Sequence, residues 1–272
     1  MKIGLVQPTT GIDPQIEAAA LAGAIAALAA DGAEMVFTPE MSGCLDRDRA
    51  RAAGTIVAEA DDMVLAAVRE AAAAAGVWVH LGSLALQSND GRFVNRGFLI
   101  DATGAIRARY AKIHLFDVDL PNGESWRESS AYAPGDTAVV AATPWGPLGL
   151  SICYDLRFPA LYRALAEAGA TMLSIPAAFT RQTGRAHWHV LQRARAIETG
   201  CFVIAAAQTG NHADGRETFG HSLIVAPWGE VLLDMGEAPG SAICEIDLAA
   251  VAEARDRVPA LRHARPFTVS NA

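Results

Sequence analysis

Three short stretches hold residue types able to do covalent chemistry. "LSICYDLRFP" at 150–159 sets Cys153 between an apolar run and Tyr154, Asp155 and Arg157. "FTPEMSG" at 37–43 carries Glu40, and "YAKIH" at 110–114 carries Lys112. A cysteine so placed is inert core, half of a disulfide, a metal ligand or a nucleophile. At neutral pH a thiol is mostly protonated, so a nucleophilic cysteine needs a neighbouring base or a lowered pKa. Glu40 is the best-placed carboxylate to take its proton. If the reaction is acyl transfer, the developing oxyanion also needs donors, and a buried Lys112 with the backbone N–H of Tyr154 would supply them. Proline at 159 predicts a helix start just after Cys153, with the sulfur near the positive helix end.

The elements that must position these groups alternate. "KIGLVQ" reads as a strand, "PQIEAAALAGAIAALAADG" as a helix and "AEMVFTPE" as a strand. "TIVAEADDMVLAAVREAAAAAG" is again helical, and "VWVHLGSLAL" is extended. Such alternation predicts stacked βα units around a buried sheet. "RFVNRGFLIDATGAIRARYAKI" reads instead as a hairpin turning at "DATG", followed by a loop-rich stretch through "DLPNGESWRESSAYAPGD". Alternation resumes with "LGLSI", "PALYRALAEAG", "ATMLSIP", the helix "AHWHVLQRARAIETG" and "CFVIAAA", and "GHSLIVAPWGEVLLD" is a second hairpin. The first and third blocks share the order strand, helix, Gly-Ala, Met, apolar run, proline, which suggests two similar halves. Glu40, Lys112 and Cys153 each fall just past an apolar strand, where α/β sheets form their ligand crevices.

Composition sets bounds. The 272 residues carry a formal net charge of −8, which argues against a nucleic acid or an anionic membrane as partner. No apolar run approaches bilayer length, and the first ten residues lack a signal-peptide core, so a cytoplasmic, soluble chain is expected. Cys44, Cys153, Cys201 and Cys244 are scattered without a CxxC pair, which speaks against a disulfide framework. Cys201 and Cys244 read as buried small hydrophobes, and Cys44 as packing. Asp155 and Arg157 read as a salt-bridged support for their loop. His187 and His189 diverge on a helix, and His80, His114, His212, His221 and His263 show no ligand spacing, so no metal and no cofactor are expected.

With "FTPEMSG", "YAKIHLFDVDLPNGESWRES" and "LGLSICYDLRFP" in order, residues 1 to about 265 resemble the nitrilase, or carbon–nitrogen hydrolase, superfamily. That resemblance implies an α/β fold, a four-layer α-β-β-α sandwich in a single domain. It implies catalytic Glu40, Lys112 and Cys153, a second glutamate at Glu128 with Glu124 as the weaker candidate, and a thioester intermediate. Within the superfamily the downstream segments are similar to the small-amidase branches. One branch hydrolyses deaminated glutathione and another, the omega-amidases, acts on alpha-ketoglutaramate; the run "AAAQTG" favours the first. The implied reaction converts a small carboxylate-bearing amide to acid plus ammonia, with an N-carbamoyl amidohydrolase as the runner-up. A metabolite-binding member without catalysis is the non-enzyme alternative.

The same resemblance puts Phe179, Thr180, Arg181 and Arg185 at the pocket, the two arginines as candidate partners for a substrate carboxylate. Arg185, His189 and Ala160 depart from the family pattern of proline, glutamate and glutamate. The expected organisation is a hydrolase domain over 1–250 and a C-terminal extension over 251–272 that packs on, or swaps with, a partner subunit of a homodimer or larger homo-oligomer.

Overall fold

The computed structural model describes residues 1–88, 90–121 and 123–271. Its first sheet contains β1 (Lys2–Gln7), β2 (Met35–Phe37), β3 (Trp78–Gln87), β4 (Phe93–Ile100), β5 (Ile106–Ala111) and the late strand β16 (Gly240–Glu245), in the order β16-β1-β2-β3-β4-β5. Two small hairpins, β6 (Asp117–Asp119) with β7 (Ser125–Arg127) and β12 (Thr209–Asn211) with β13 (Glu217–Phe219), stand outside the main sheets. The second sheet is built from β8 (Val139–Ala141), β9 (Leu148–Leu150), β10 (Met172–Ser174), β11 (Phe202–Ala205), β14 (Leu223–Val225) and β15 (Val231–Asp234), ordered β15-β14-β11-β10-β9-β8. The helices are α1 (Pro14–Ala30), α2 (Arg49–Ala53), α3 (Met63–Ala75), α4 (Pro159–Glu167), α5 (Arg181–Thr199), α6 (Ala249–Arg257) and α7 (Ala260–His263).

The two halves expected from the repeated block order are these sheets. Strands β1, β2 and β3 run parallel in one, and β9, β10 and β11 run parallel in the other. Side-chain alternation along a strand sends successive residues to opposite faces. Met35 and Phe37 join Ile3, Leu5, Leu148, Leu150 and Met172 in the core shared by both sheets. Val36, between them, joins Val79 and Leu81 against Leu21, Ile25, Val64 and Val68 of α1 and α3. Helices α4 and α5 cover the second sheet, where Leu161, Tyr162, Leu165 and Trp188 are buried. The four-layer α-β-β-α order follows from strands that are apolar on both faces.

Local chemistry explains the element ends. Asp13 caps α1 by accepting the Gln15 N–H at 2.9 Å, and Pro14 takes the first helical position. Asp62 caps α3 through the Leu65 N–H at 2.7 Å. Both expected hairpins form: β4 pairs with β5 around the turn at 101–105, and β14 pairs with β15.

One expectation changes. The helix read from "AHWHVLQRARAIETG" begins five residues earlier, at Arg181, and includes Gly184. Gly184 looks like a breaker in sequence, but a Cβ there would sit 2.3 Å from the Phe219 ring, so the glycine permits close packing instead. Helix α6 packs on its own chain, with Val251 and Ala254 buried and Arg255 donating to the carbonyls of Ala170 (2.7 Å) and Thr199 (3.2 Å).

Candidate active site

Glu40 follows β2, Lys112 follows β5, and Cys153 follows β9, so three strand ends converge from two sheets. They line one cavity of about 400 Å³, together with Glu128, Tyr154, Phe179 and Thr180. All three residues are nearly sealed, at 5 % exposure for Glu40, 2 % for Lys112 and 7 % for Cys153.

Lys112 lies between the two acids. Its Nζ donates to Glu40 Oε1 at 2.8 Å and to Glu128 Oε2 at 2.9 Å. Glu40 Oε1 also accepts from Asn95 Nδ2 at 2.9 Å, and its Oε2 accepts the Ala178 N–H at 2.9 Å. Glu128 is fixed by the Phe116 N–H at 2.6 Å. Asn95 escaped sequence reading, although an asparagine next to Val94 among the buried positions of "FVNRGFLI" has no obvious apolar role there. It is fully buried and holds two carboxylates in one orientation. Glu124 lines the same cavity, but Glu128 is the glutamate bonded to Lys112.

The charges set each other's protonation. Burial alone pushes the Glu40 carboxyl up, but the Lys112 ammonium and its hydrogen bonds outweigh this and hold it below the usual range. Burial likewise pulls Lys112 down, and Glu128 with Glu40 more than reverse it, keeping the ammonium protonated well above its ordinary pKa. Burial and then the Glu40 charge push the Cys153 thiol well up. The resting centre therefore holds an ionised Glu40, an ammonium and a neutral thiol.

Helix α4 begins at Pro159 as expected, but burial and the Glu40 charge, rather than the helix end, govern the Cys153 thiol. A 3-10 turn at Cys153–Arg157 separates the sulfur from that helix. Cys153 itself has φ +48°, an uncommon conformation for a residue with a Cβ, and its N–H donates to the Pro176 carbonyl at 2.8 Å. The next N–H, of Tyr154, finds no acceptor among the described residues.

Asp155 supports the loop differently from expectation. Its carboxylate accepts from Tyr110 Oη (2.7 Å) and from the N–H groups of Ile152 (2.9 Å) and His114 (3.0 Å), with no bond to Arg157. Arg157 instead lies over the rings of Phe179 and Tyr154, at 5.3 and 5.9 Å. Neither Arg181 nor Arg185 lines the main cavity: Arg181 pairs with Glu237 and Glu217, and Arg185 is exposed. Cys44 does line it, bonded to the Ile12 carbonyl at 3.6 Å and to Thr55 rather than to an acid, and burial pushes its thiol up. Away from the cavity the fold joins His189, His221 and Asp234, whose ligand atoms lie within 4.8 Å of one another. Sequence spacing could not show this set, because α5 and the β14–β15 hairpin meet only in the folded chain. No helix among the described residues is long and apolar enough to cross a membrane.

The family model for carbon-nitrogen hydrolases matches residues 2–256. The chain belongs to this family. It is 40 % identical to a deaminated glutathione amidase from Yersinia enterocolitica, over 86 % of this chain and 82 % of that relative. The C. elegans NitFhit protein superposes with a TM-score of 0.89 at 37 % identity, over 97 % of this chain and 65 % of that one. An amidase from Nesterenkonia sp., with acrylamide added to its active-site cysteine, superposes with a TM-score of 0.80 at 26 % identity, over 95 % of this chain and 98 % of that one. As a carbon–nitrogen hydrolase with such relatives, the chain has the activity of a thiol-dependent amidase.

Proposed function

We propose that Cys153 is the nucleophile, Glu40 the general base, and Lys112 with the Tyr154 N–H the oxyanion donors. The amide carbonyl lies between them in the cavity. Glu40 takes the thiol proton as sulfur attacks the carbonyl carbon, and the oxygen becomes an alkoxide facing Lys112. Collapse re-forms the carbonyl and breaks the C–N bond, while Glu40 returns its proton to the departing nitrogen. A water then gives a proton to Glu40 and its oxygen attacks the thioester. The C–S bond breaks, and the proton on Glu40 goes back to sulfur. Glu128 touches no reacting atom; it positions Lys112. The observation that carries this reading is a buried thiol that shares one cavity with Glu40 and with a Lys112 held by two acids.

The substrate we propose is deaminated glutathione, which names the relatives. Its amide bonds are peptide bonds, so the leaving group is an amine of the peptide part. The ammonia expected from sequence belongs to a primary amide such as alpha-ketoglutaramate. Incubation with deaminated glutathione, alpha-ketoglutaramate and an N-carbamoyl amino acid separates the three readings. The expected outcome is fastest release of 2-oxoglutarate from the first, with a thioester adduct on Cys153 in quenched samples. Equal or faster ammonia release from alpha-ketoglutaramate would move the assignment to the omega-amidases.

A homodimer is proposed from an apolar face. Val190 and Ile197, seven apart on α5, are 67 % and 55 % exposed, and Trp228 and Leu232 of the neighbouring hairpin are 53 % and 45 % exposed. Sedimentation of the wild type against a Val190→Glu, Trp228→Glu variant tests it, with a shift from dimer to monomer expected. A cytoplasmic location accords with four unpaired cysteines; fractionation of cells expressing the native chain tests it.

A further inference from the structure

The cavity that holds Cys153 also holds two cations at its side, Arg47 and Arg216. Both guanidinium groups lie against one indole, 5.9 and 4.9 Å from the Trp126 ring centroid. Arg216 is built in rather than merely present. Its side chain is 17 % exposed, and its Nε donates to Asp214 Oδ2 at 2.9 Å. The Asp214 side chain is fully buried and also accepts the backbone N–H groups of Arg216 at 3.0 Å and Arg47 at 2.8 Å. One buried carboxylate thus fixes both residues and aligns the Arg216 fork. That leaves Nη1 and Nη2 of Arg216 with no hydrogen bond among the described residues.

The other lining arginines are engaged. Arg127 grips Asp119 with two bonds of 2.9 Å or less, and Arg49 donates to the Arg127 carbonyl at 2.6 Å. Nearby acids are engaged as well: Asp46 by Arg51, and Glu217 by Arg181. A fixed guanidinium with its planar edge open is a carboxylate receptor, because the fork matches two carboxylate oxygens. The catalytic floor cannot play that part. Glu40 and Glu128 carry two negative charges against one on Lys112, so an anionic substrate group is repelled there and attracted to the arginines.

We infer that Arg216, supported by Arg47, binds a carboxylate at the far end of the substrate's leaving group. Arg216 is thereby a specificity-determining residue, selecting peptide-type amides with a free C-terminus. The inference rests on the amidase reading above and names the feature of the substrate that this site selects. It also reassigns the carboxylate partner from Arg181 and Arg185 to a residue on the β12–β13 hairpin.

The test compares deaminated glutathione with the same molecule carrying a C-terminal carboxamide. For the wild type, kcat/KM for the free acid is expected to exceed that for the carboxamide by about 10- to 100-fold, the range of one charge-assisted contact. Arg216→Gln should raise KM for the acid and bring this ratio near one, and Arg216→Lys should restore part of it. A support role for the hairpin would lower both rates together and keep the ratio, which overturns the proposal. Titration of both compounds into Cys153→Ala, with and without Arg216→Gln, reads the same preference without turnover. If the wild type hydrolyses neither compound but Cys153→Ala prefers the acid through Arg216, the substrate reading fails and this inference stands. If binding shows no such preference, the inference fails whatever the turnover.

Discussion

Lys112 donates to Glu40 at 2.8 Å from the end of the strand that also aims its backbone at Asn95, whose side chain holds the same carboxylate oxygen. Glu40 is thus ionised by one neighbour and oriented by another. It cannot rotate away from the thiol without breaking hydrogen bonds that burial makes costly to lose.

Replacement of Glu40 by Gln keeps the size of the side chain and removes the proton acceptor. A positioned general base contributes about a hundred- to ten-thousand-fold. Turnover of Glu40→Gln should fall by that range while substrate KM changes little. Steady-state kinetics check it, and an unaltered rate would assign the proton transfer elsewhere.

Glu128→Gln tests the positioning role. Glu128 raises the Lys112 pKa, so its loss lowers that pKa. The basic limb of the kcat/KM profile should therefore move to lower pH, together with a drop in kcat. A uniformly reduced profile with unmoved limbs would mean that Glu128 supports only the loop.

His80 gives the molecule an acid-side weakness. Burial pushes its imidazole down to about 3, and it is 1 % exposed with Ser174 Oγ 3.1 Å away. Below its ordinary value of about 6.5 the unfolded chain takes up a proton that the folded chain refuses. Stability is then fully present above pH 6.5 and falls by about 1.4 kcal/mol per unit as pH drops toward 3. Glu40, held below its usual range, adds a further loss only below about pH 4.5. Denaturant titrations from pH 7.5 to 5 measure the slope, and His80→Gln should flatten it.

Gly184→Ala should destabilise the fold by about 1–3 kcal/mol, the usual cost of overpacking. The added methyl would meet the Phe219 ring at 2.3 Å, next to Thr218 in the cavity wall. Thermal melts together with KM on the same variant separate a global effect from a distorted pocket.

Sequence showed what depends on strand ends and apolar periodicity. Glu40, Lys112 and Cys153 were legible because each closes an apolar run, and the two halves were legible because their block order repeats. What depends on contacts between distant segments was hidden. Asp155 was paired by proximity with Arg157, yet its partners come from β5 and the loop beyond it. Arg216 gave no sign of lining the cavity, since only the buried Asp214 and the facing Trp126 fix its place. The helix start at Pro159 was legible from its proline, but the positive φ that turns the chain at Cys153 cannot be seen in residue order.

The reaction centre is split across a seam. Glu40 and Lys112 hang from one sheet, while Cys153 and the Ala178 amide belong to the other. Between them lies an interleaf that includes Ile3, Leu5, Phe37, Leu148 and Leu150 and is crossed by the buried pairs His80–Ser174 and Tyr110–Asp155. The distance of the proposed proton transfer from sulfur to carboxylate is therefore set by how the two leaves are docked. A cavity cut in that interleaf, far from any substrate, should detune turnover before the protein begins to melt.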